Sequence, residues 1–298
     1  MRGSLREAGL LLVAPLIWGV GFVATREQLS GMTPLWANAL RFGAAALVLL
    51  PISVSRRPAL SRAQLWGGAG LGLLLFLCFS AQTAGLALTS VSRSSFLTGL
   101  YAVLTPLFGR LLGRPLRTAQ LAAVGLALAG LYLLARPTAV GLAGLNRGDL
   151  LTIGCAVATA WQILLADKLA PGADPLALNG VQMASIALCS IAAALLWDGA
   201  PSVRSTAAVW GATAYLAILS SVVAFTLQLR AQKQLPPTAA AMIFLLEAPF
   251  GALAGRLVLG ERLDLAQGVG CGLILGASAL SVLTPARAAP SLAKDALA

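Results

Sequence analysis

The stretch FLLEAPFGALAGRLVLGE, from Phe244 to Glu261, has the composition of a membrane helix but carries a carboxylate, Glu247, near its apolar start. A charged side chain at the centre of a bilayer costs about 2.5–3.5 kcal/mol on insertion scales. Such residues are rare in membrane helices and face the protein interior or a water-filled space. The stretch therefore predicts a membrane-spanning fold and marks one candidate functional residue.

The composition of the whole chain agrees with a membrane protein. Of its 298 residues, 58% are hydrophobic and 10% are charged, whereas soluble domains carry about 25% charged residues. The net charge of +11 comes mostly from arginines in short loops, without a basic run or patch. Loop arginines are typical of membrane proteins. We therefore expect a lipid bilayer, and no nucleic acid, among the partners.

What the sequence lacks disfavours several kinds of chemistry. It has no histidine, which removes histidine metal sites, proton relays and Ser-His-Asp catalysis. No GxxxxGK[ST] motif is present, so direct ATP drive is unsupported. Four cysteines lie singly in separate apolar segments, which suggests neither a metal site nor a disulfide framework; they are Cys78, Cys155, Cys189 and Cys271. We expect no cofactor and no enzymatic activity.

Ten apolar stretches, bounded by charges or by proline and glycine turns, divide the chain. Each is near the ~20 residues that cross a bilayer as a helix, and none alternates as the strands of a barrel do. The first is expected to be a retained helix rather than a signal peptide. The ten stretches are 8–25, 34–54, 64–87, 95–112, 118–135, 149–166, 176–197, 207–229, 237–259 and 265–284.

The basic residues predict the orientation of these segments. With the N-terminus in the cytoplasm, the inner loops and tails hold thirteen arginines and lysines and the outer loops hold seven. Cytoplasmic loops carry the excess of basic residues. We therefore expect an inner (plasma) membrane protein with both termini in the cytoplasm.

The ten segments form an internal repeat. QLAAVGLALAG (120–130) pairs with QGVGCGLILGA (267–277), and Trp18 and Trp161 each lie midway along the first segment of a half. The predicted halves are 5–138 and 147–286. Five is an odd number, so the halves insert with opposite topology. Inverted repeats are typical of transporters that bind substrate near the midplane. We predict an all-α membrane protein of ten helices in two inverted five-helix repeats.

Local motifs add a resemblance to a known family. PLIWGVGFVATR (15–26), LRFGAAALVLL (40–50), SSFLTGLYAVLTPLFGRLLGR (94–114) and LLEAPFGALAGRLVLGERL (245–263) resemble helices 1, 2, 4 and 9 of EamA-type members of the drug/metabolite transporter superfamily. The resemblance implies a basket of helices in which 1, 3, 4, 6, 8 and 9 line a central cavity and 5 and 10 are peripheral. Its fourth helix looks most like that of the aromatic amino-acid exporters.

Candidate substrate-binding residues are aromatic or polar groups within these lining helices. Polar groups inside apolar helices must find partners or water. The glutamines could therefore form hydrogen bonds between helices instead of binding substrate, and the tryptophans could simply pack in the core. The candidates are Trp18, Phe22, Gln82, Tyr101, Trp161, Gln162, Phe225, Gln228, Phe244 and Glu247.

Two intramembrane charges bear most on the substrate. Glu247 aligns within one residue of Val103 in the other half, so the fold does not require a carboxylate there. Glu247 either takes part in transport or forms a structural bond to a neighbouring helix. Arg41 lies near a helix start, and snorkelling to the interface is its expected behaviour. Because deep cations for phosphorylated substrates are lacking, the sequence predicts an exporter of amino acids or similar small metabolites. Alternatives are carriers of other neutral or hydrophobic molecules and, remotely, a membrane enzyme or scaffold.

Overall fold

The computed structural model describes residues 2–56, 59–86, 88–89, 91–135, 145–259 and 263–284. Within these residues the secondary structure is entirely helical. In the described ranges, nine helical stretches are long and apolar enough to cross a membrane, and a shorter apolar helix, Phe96–Leu111, accompanies them. The predicted fold class is confirmed. We number the ten membrane segments span 1 to span 10.

The first repeat contains spans 1 to 5. Spans 1 and 4 are each interrupted once, whereas the other three are single helices. Their bounds are α1 Arg2–Leu11 and α2 Val13–Leu29 (span 1), α3 Pro34–Ser55 (span 2), α4 Arg62–Leu86 (span 3), α5 Val91–Gly99 and α6 Tyr101–Leu111 (span 4), and α7 Thr118–Ala135 (span 5).

The second repeat contains spans 6 to 10. Span 8 has a π-helical centre, and span 9 is interrupted like span 4. Their bounds are α8 Arg147–Leu169 (span 6), α9 Pro175–Trp197 (span 7), α10 Ala207–Tyr215, π-helix Leu216–Ala224 and α11 Phe225–Ala231 (span 8), α12 Pro237–Phe244 and α13 Glu247–Leu259 (span 9), and α14 Leu265–Leu283 (span 10).

Helix starts follow from local sequence. Spans 2 and 7, which are equivalent in the two repeats, both begin with a proline, Pro34 and Pro175. Proline suits the first helical position, where its missing N–H would have no partner in any case. Span 6 starts in a capping box between Asn146 and Asp149. Both the initial proline and the capping box reduce the number of unpaired backbone N–H groups at the start of a helix.

When each span is replaced by the equivalent span of the other repeat, the contacts between the two halves map onto one another. Span 2 packs on span 7 and span 5 on span 10, so each of these pairs maps onto itself. The contact of span 3 with span 6 has its counterpart in span 8 with span 1. The contact of span 1 with span 9 likewise corresponds to that of span 6 with span 4. This pattern is that of two repeats related by a pseudo-two-fold axis.

Spans 5 and 10 cross at two glycines. A Cβ atom built on Gly130 would lie 2.7 Å from the carbonyl oxygen of Gly270, and one on Gly270 would lie 2.6 Å from that of Gly130. Such distances leave no room for a side chain. Small residues at a crossing let membrane helices pack with their backbones in contact. The glycines therefore fix the pairing of the fifth span of each repeat.

Candidate functional site

Glu247 lies where span 9 is interrupted. The N–H of Leu246 donates to the oxygen of Ile243, and that of Ala248 donates to Leu245, both at 3.1 Å, so the chain makes a tight turn there. Glu247 is the first residue of α13. Free N–H groups and the helix dipole favour a carboxylate in the first turn, and Pro249 is tolerated there for the same reason as at other helix starts. The interruption thus creates a helix start, at which free backbone N–H groups favour the charged carboxylate.

Tyr101 occupies the matching interruption of span 4. It is the first residue of α6, as Glu247 is of α13, so by helix start the equivalent of Glu247 is Tyr101 rather than Val103, with which the sequence aligned it. The buried Tyr101 hydroxyl donates to Oε1 of Glu247 across 3.3 Å. Two predicted site residues are therefore brought together, and each comes from the break in the fourth span of its repeat.

The surroundings of Glu247 place it between the repeats rather than against lipid. Tyr101 of span 4 binds its carboxylate, and a Cβ atom built on Gly19 of span 1 would lie 2.9 Å from its carbonyl oxygen. The residues before it, Phe244 to Leu246, are buried, whereas Glu247 itself is partly exposed. Glu247 is therefore a partly exposed residue at a contact between the two repeats.

Arg41 of span 2 is buried, with 4% of its surface exposed. Its Nε donates to Oγ of Ser221 at 3.0 Å, and its Nη2 donates to Oγ of Ser220 at 2.8 Å. Its guanidinium carbon lies 4.7 Å from the ring centroids of both Phe42 and Phe79. The expectation that Arg41 snorkels to the interface is wrong, because serines of span 8 and two aromatic faces supply partners inside the protein.

The serines that bind Arg41 belong to the π-helical segment Leu216–Ala224. Residues from three other spans bond to this segment or its edge. Trp18 donates from Nε1 to the Ser220 oxygen at 3.2 Å, and Asn179 donates to the Ser221 oxygen at 3.1 Å. π-Helical turns are rare and occur frequently at functional sites. Side-chain donors here bind carbonyls in a segment that lacks regular α-helical bonding.

An aromatic path extends from Arg41 to the residues just before Glu247. We call Trp18, Phe79, Phe225 and Phe244 the aromatic path. Ring centroids are 5.3 Å apart for Phe244 and Trp18, 5.2 Å for Trp18 and Phe225, and 6.3 Å for Phe225 and Phe79. Phe244 lies three residues before Glu247, and Phe79 contacts Arg41. Three predicted site residues thus meet in one cluster, which is partly exposed at Trp18 and Phe79.

The two predicted glutamines on spans 6 and 8 bond to one another. Gln228 donates to Oε1 of Gln162 at 2.9 Å and to Gln232 at 3.1 Å. Both Gln162 and Gln228 are buried. Gln162 and Gln228 therefore form a hydrogen bond between helices, which the sequence analysis gave as the alternative to substrate binding.

The remaining predicted residues lie around this centre. Trp161 stacks on Phe108 at 5.0 Å and is 37% exposed, so it does not share the path of its repeat partner Trp18. Phe22 packs beside Gly251 of span 9. Gln82 is partly exposed and follows Cys78 by one helical turn, which puts both on one face of span 3.

Sequence reasoning missed Phe42, Phe79, Ser220 and Ser221. A signal for the serines existed, because a buried arginine requires acceptors and this serine pair lies in the apolar run of span 8. Nothing comparable singled out Phe42 and Phe79 among the apolar residues of their spans. Only the packing of spans 2, 3 and 8 identifies them as partners of Arg41.

Comparison with known proteins decides the family. A profile of the EamA-like transporter family matches residues 5–136 and again residues 146–283. The chain belongs to this family. Its sequence is 30% identical over 270 residues to an uncharacterized transporter from Archaeoglobus fulgidus, which covers 90% of this chain and 83% of that protein. The predicted EamA resemblance is confirmed.

More distant likenesses agree with this family. An uncharacterized transporter from Synechocystis is 26% identical over 293 residues, covering 90% of this EamA-family chain and 88% of the relative. A solved crystal structure superimposes with a TM-score of 0.75 over 93% of this chain and 96% of the other, at 22% identity. That likeness bears on the fold alone. The protein is thus a multi-pass membrane transporter of the EamA-like family.

Proposed function

We propose that this transporter exports small zwitterionic metabolites, foremost amino acids, by alternating access. The observation that carries the proposal is the pair of opposite charges, Arg41 and Glu247, with the aromatic path between them. An amino acid carries a carboxylate that suits a guanidinium and an ammonium that suits a carboxylate. The charges belong to opposite repeats, and carriers built from repeats hold their substrates between them.

The aromatic path supports the aromatic members of this substrate class. Trp18 and Phe79 are its partly exposed members, and Phe79 lies against Arg41. Aromatic pairs in offset or edge-to-face arrangement contribute about 0.5–1.5 kcal/mol beyond area burial. We accordingly propose phenylalanine, tyrosine or tryptophan as better substrates than alanine or serine.

A second candidate is a carrier of other neutral or hydrophobic molecules, including drugs. The favouring observation is that Arg41 already bonds to Ser220 and Ser221 and lies against two rings. An arginine with these partners has a structural role of its own. In that case the aromatic path and Glu247 would bind the substrate without help from the guanidinium.

Counterflow into proteoliposomes distinguishes the two candidates. Liposomes are loaded with phenylalanine, and uptake of labelled phenylalanine is compared with competition by phenethylamine and 3-phenylpropionate. These analogues lack the carboxylate and the ammonium respectively. We expect phenylalanine alone to exchange and to compete. Equal competition by either analogue would favour the hydrophobic carrier, and absence of exchange for every amino acid tested would reject the proposal.

Localisation belongs to the same proposal. We propose the inner (plasma) membrane, with both termini in the cytoplasm. The support is the excess of basic residues assigned to the inner loops, thirteen against seven.

A further inference from the structure

Two cysteines from different repeats lie side by side in the centre of the protein. The Sγ atoms of Cys78 in span 3 and Cys155 in span 6 are 3.3 Å apart, and both thiols are free. Their exposed fractions are 7% and 0%. The other two cysteines, Cys189 and Cys271, are half-buried on spans 7 and 10. The chain therefore has one close thiol pair among its four cysteines.

The packing of spans 3 and 6 fixes this pair in register. A Cβ atom on Gly85 would lie 2.9 Å from the carbonyl oxygen of Gly148, and one on Gly148 would lie 2.7 Å from that of Gly85, so the helices touch there. Cys78 lies seven residues before Gly85, and Cys155 lies seven residues after Gly148. In antiparallel helices these equal offsets bring the cysteines opposite one another. The glycine contact keeps the two backbones close enough for short side chains to meet.

One hydroxyl group contacts both thiols, which otherwise lie in an apolar cluster with Ala81 and Ala158. The hydroxyl of Thr159 lies 3.1 Å from the Cys78 sulfur and 4.0 Å from that of Cys155. Thr159 is half-buried, and Cys78 itself keeps 7% of its surface exposed, whereas Cys155 has none. A small reagent therefore meets Cys78 before Cys155.

We propose that Cys78 and Cys155 are a redox modification site, at which a hydroperoxide forms a disulfide that links the two repeats and stops their relative movement. A disulfide needs a sulfur–sulfur distance of about 2.05 Å. The present 3.3 Å separation leaves a small approach, available to rotation of two short side chains. The proposal is independent of which substrate the transporter carries.

The chemistry is balanced with one equivalent of hydroperoxide. The Cys78 sulfur, the more exposed of the two, attacks the terminal peroxide oxygen. The O–O bond breaks, an alcohol leaves with the thiol proton, and Cys78 becomes a sulfenic acid. The Cys155 sulfur then attacks the sulfenic sulfur and displaces water, which takes its oxygen from Cys78 and its protons from both groups. Two thiols and a hydroperoxide give a disulfide, an alcohol and water.

The bond would act on transport because of where it lies. In carriers built from repeats, alternating access rocks one repeat or bundle against another around a fixed site. Span 3 belongs to the first repeat and span 6 to the second. A covalent link between them opposes any movement that separates these two helices.

Thiol counting tests the bond. Purified protein is treated with cumene hydroperoxide, denatured in detergent and reacted with a maleimide mass tag. We expect the number of tagged cysteines to fall from four to two and to return to four with dithiothreitol. Peptide mass spectrometry should identify the Cys78–Cys155 link. A variant with Cys189→Ser and Cys271→Ser should fall from two to none, whereas Cys78→Ser should keep its three thiols.

Hydrogen exchange and uptake test the restriction of movement. Oxidation should slow backbone exchange in spans 3 and 6 of the wild type and of the Cys189→Ser/Cys271→Ser variant, but not of Cys78→Ser. Exchange needs no substrate, so this result stands whether or not amino acids are carried. In vesicles that take up an amino acid, uptake should fall as the link forms. Four retained thiols, unchanged exchange in linked protein, or undiminished uptake by linked protein would each overturn the proposal.

Discussion

The hydroxyl of Tyr101 and Oε1 of Glu247, 3.3 Å apart, join the broken fourth spans of the two repeats. Each residue starts the second helical piece of its span, so equivalent places in the repeats carry a phenol in one and a carboxylate in the other. The two repeats thus have similar backbones at this point but carry different side chains. A protonatable group and its donor meet where the halves meet.

We expect Glu247→Gln to fold normally but to transport weakly, with a pH profile flatter than that of the wild type. Glutamine keeps the shape but cannot ionise, and loss of a charge-assisted bond of about 1.5–3 kcal/mol corresponds to tenfold or more in affinity. Counterflow measured from about pH 5 to about pH 8, the range in which physiological proton switches titrate, checks this. Glu27→Gln, at an exposed site, is the control. A wild-type rate and pH profile in Glu247→Gln would return this carboxylate to a structural role.

Arg41→Lys should lower thermal stability although it keeps the charge. An ammonium cannot reproduce the fork that reaches Ser220 and Ser221 or the planar contact with the rings. Loss of one charge-assisted hydrogen bond costs about 1.5–3 kcal/mol. Unfolding in detergent gives the measurement, and Arg110→Lys at an exposed position is the matched control. Equal melting temperatures for the two variants would show that Arg41 is not held as described.

Gly130→Ala should destabilise the protein by about 1–3 kcal/mol, the usual cost of overpacking. The new methyl group would meet the Gly270 carbonyl and force spans 5 and 10 apart. Gly125→Ala on the same helix is the control, since a Cβ there meets no atom within 4 Å. Alanine is the better helix former, so the control should be neutral or stabilising. Similar stabilities for both variants would contradict the helix crossing.

The bond between Gln162 and Gln228 should appear as coupling in a double-mutant cycle. Comparison of Gln162→Leu, Gln228→Leu and the double variant by thermal unfolding should give about 0.6 kcal/mol, the average for polar contacts between membrane helices. Coupling with preserved uptake assigns the pair to structure. Additive stabilities with loss of uptake would instead assign these glutamines to substrate binding.

Both termini are expected on the cytoplasmic side. In a variant without its four native cysteines, the substitution Ser291→Cys, beyond the described residues, should resist an impermeant maleimide in whole cells and react after permeabilisation. The physical reason is the retention of basic loops on the inner side. Labelling of intact cells would invert the proposed topology.

The ten apolar segments were predictable because hydropathy is a local property. Span 7, expected at 176–197, is the helix Pro175–Trp197. The bend of span 9 was predictable from Pro249, because a proline leaves a backbone acceptor free one turn earlier. The break in span 4 and the π-helix of span 8 were not predicted. Hydropathy identified Glu247 as costly, but its donor Tyr101 lies in the other repeat. The same holds for Arg41, whose acceptors are 179 and 180 residues away in sequence.

The π-helical segment of span 8 determines how far α11 is rotated about the helix axis relative to α10. A π-helix closes its hydrogen bonds five residues apart and therefore advances the chain by a smaller angle per residue than the about 100° of an α-helix. Regular α-helical bonding throughout Leu216–Ala224, a stretch of nine residues, would therefore turn α11 relative to α10. Phe225 would then leave Trp18, and Gln228 would leave Gln162. The π-helical bonding of this one segment thus sets both contacts together, and a change that restored an α-helix here would act on the aromatic path and the amide pair at once.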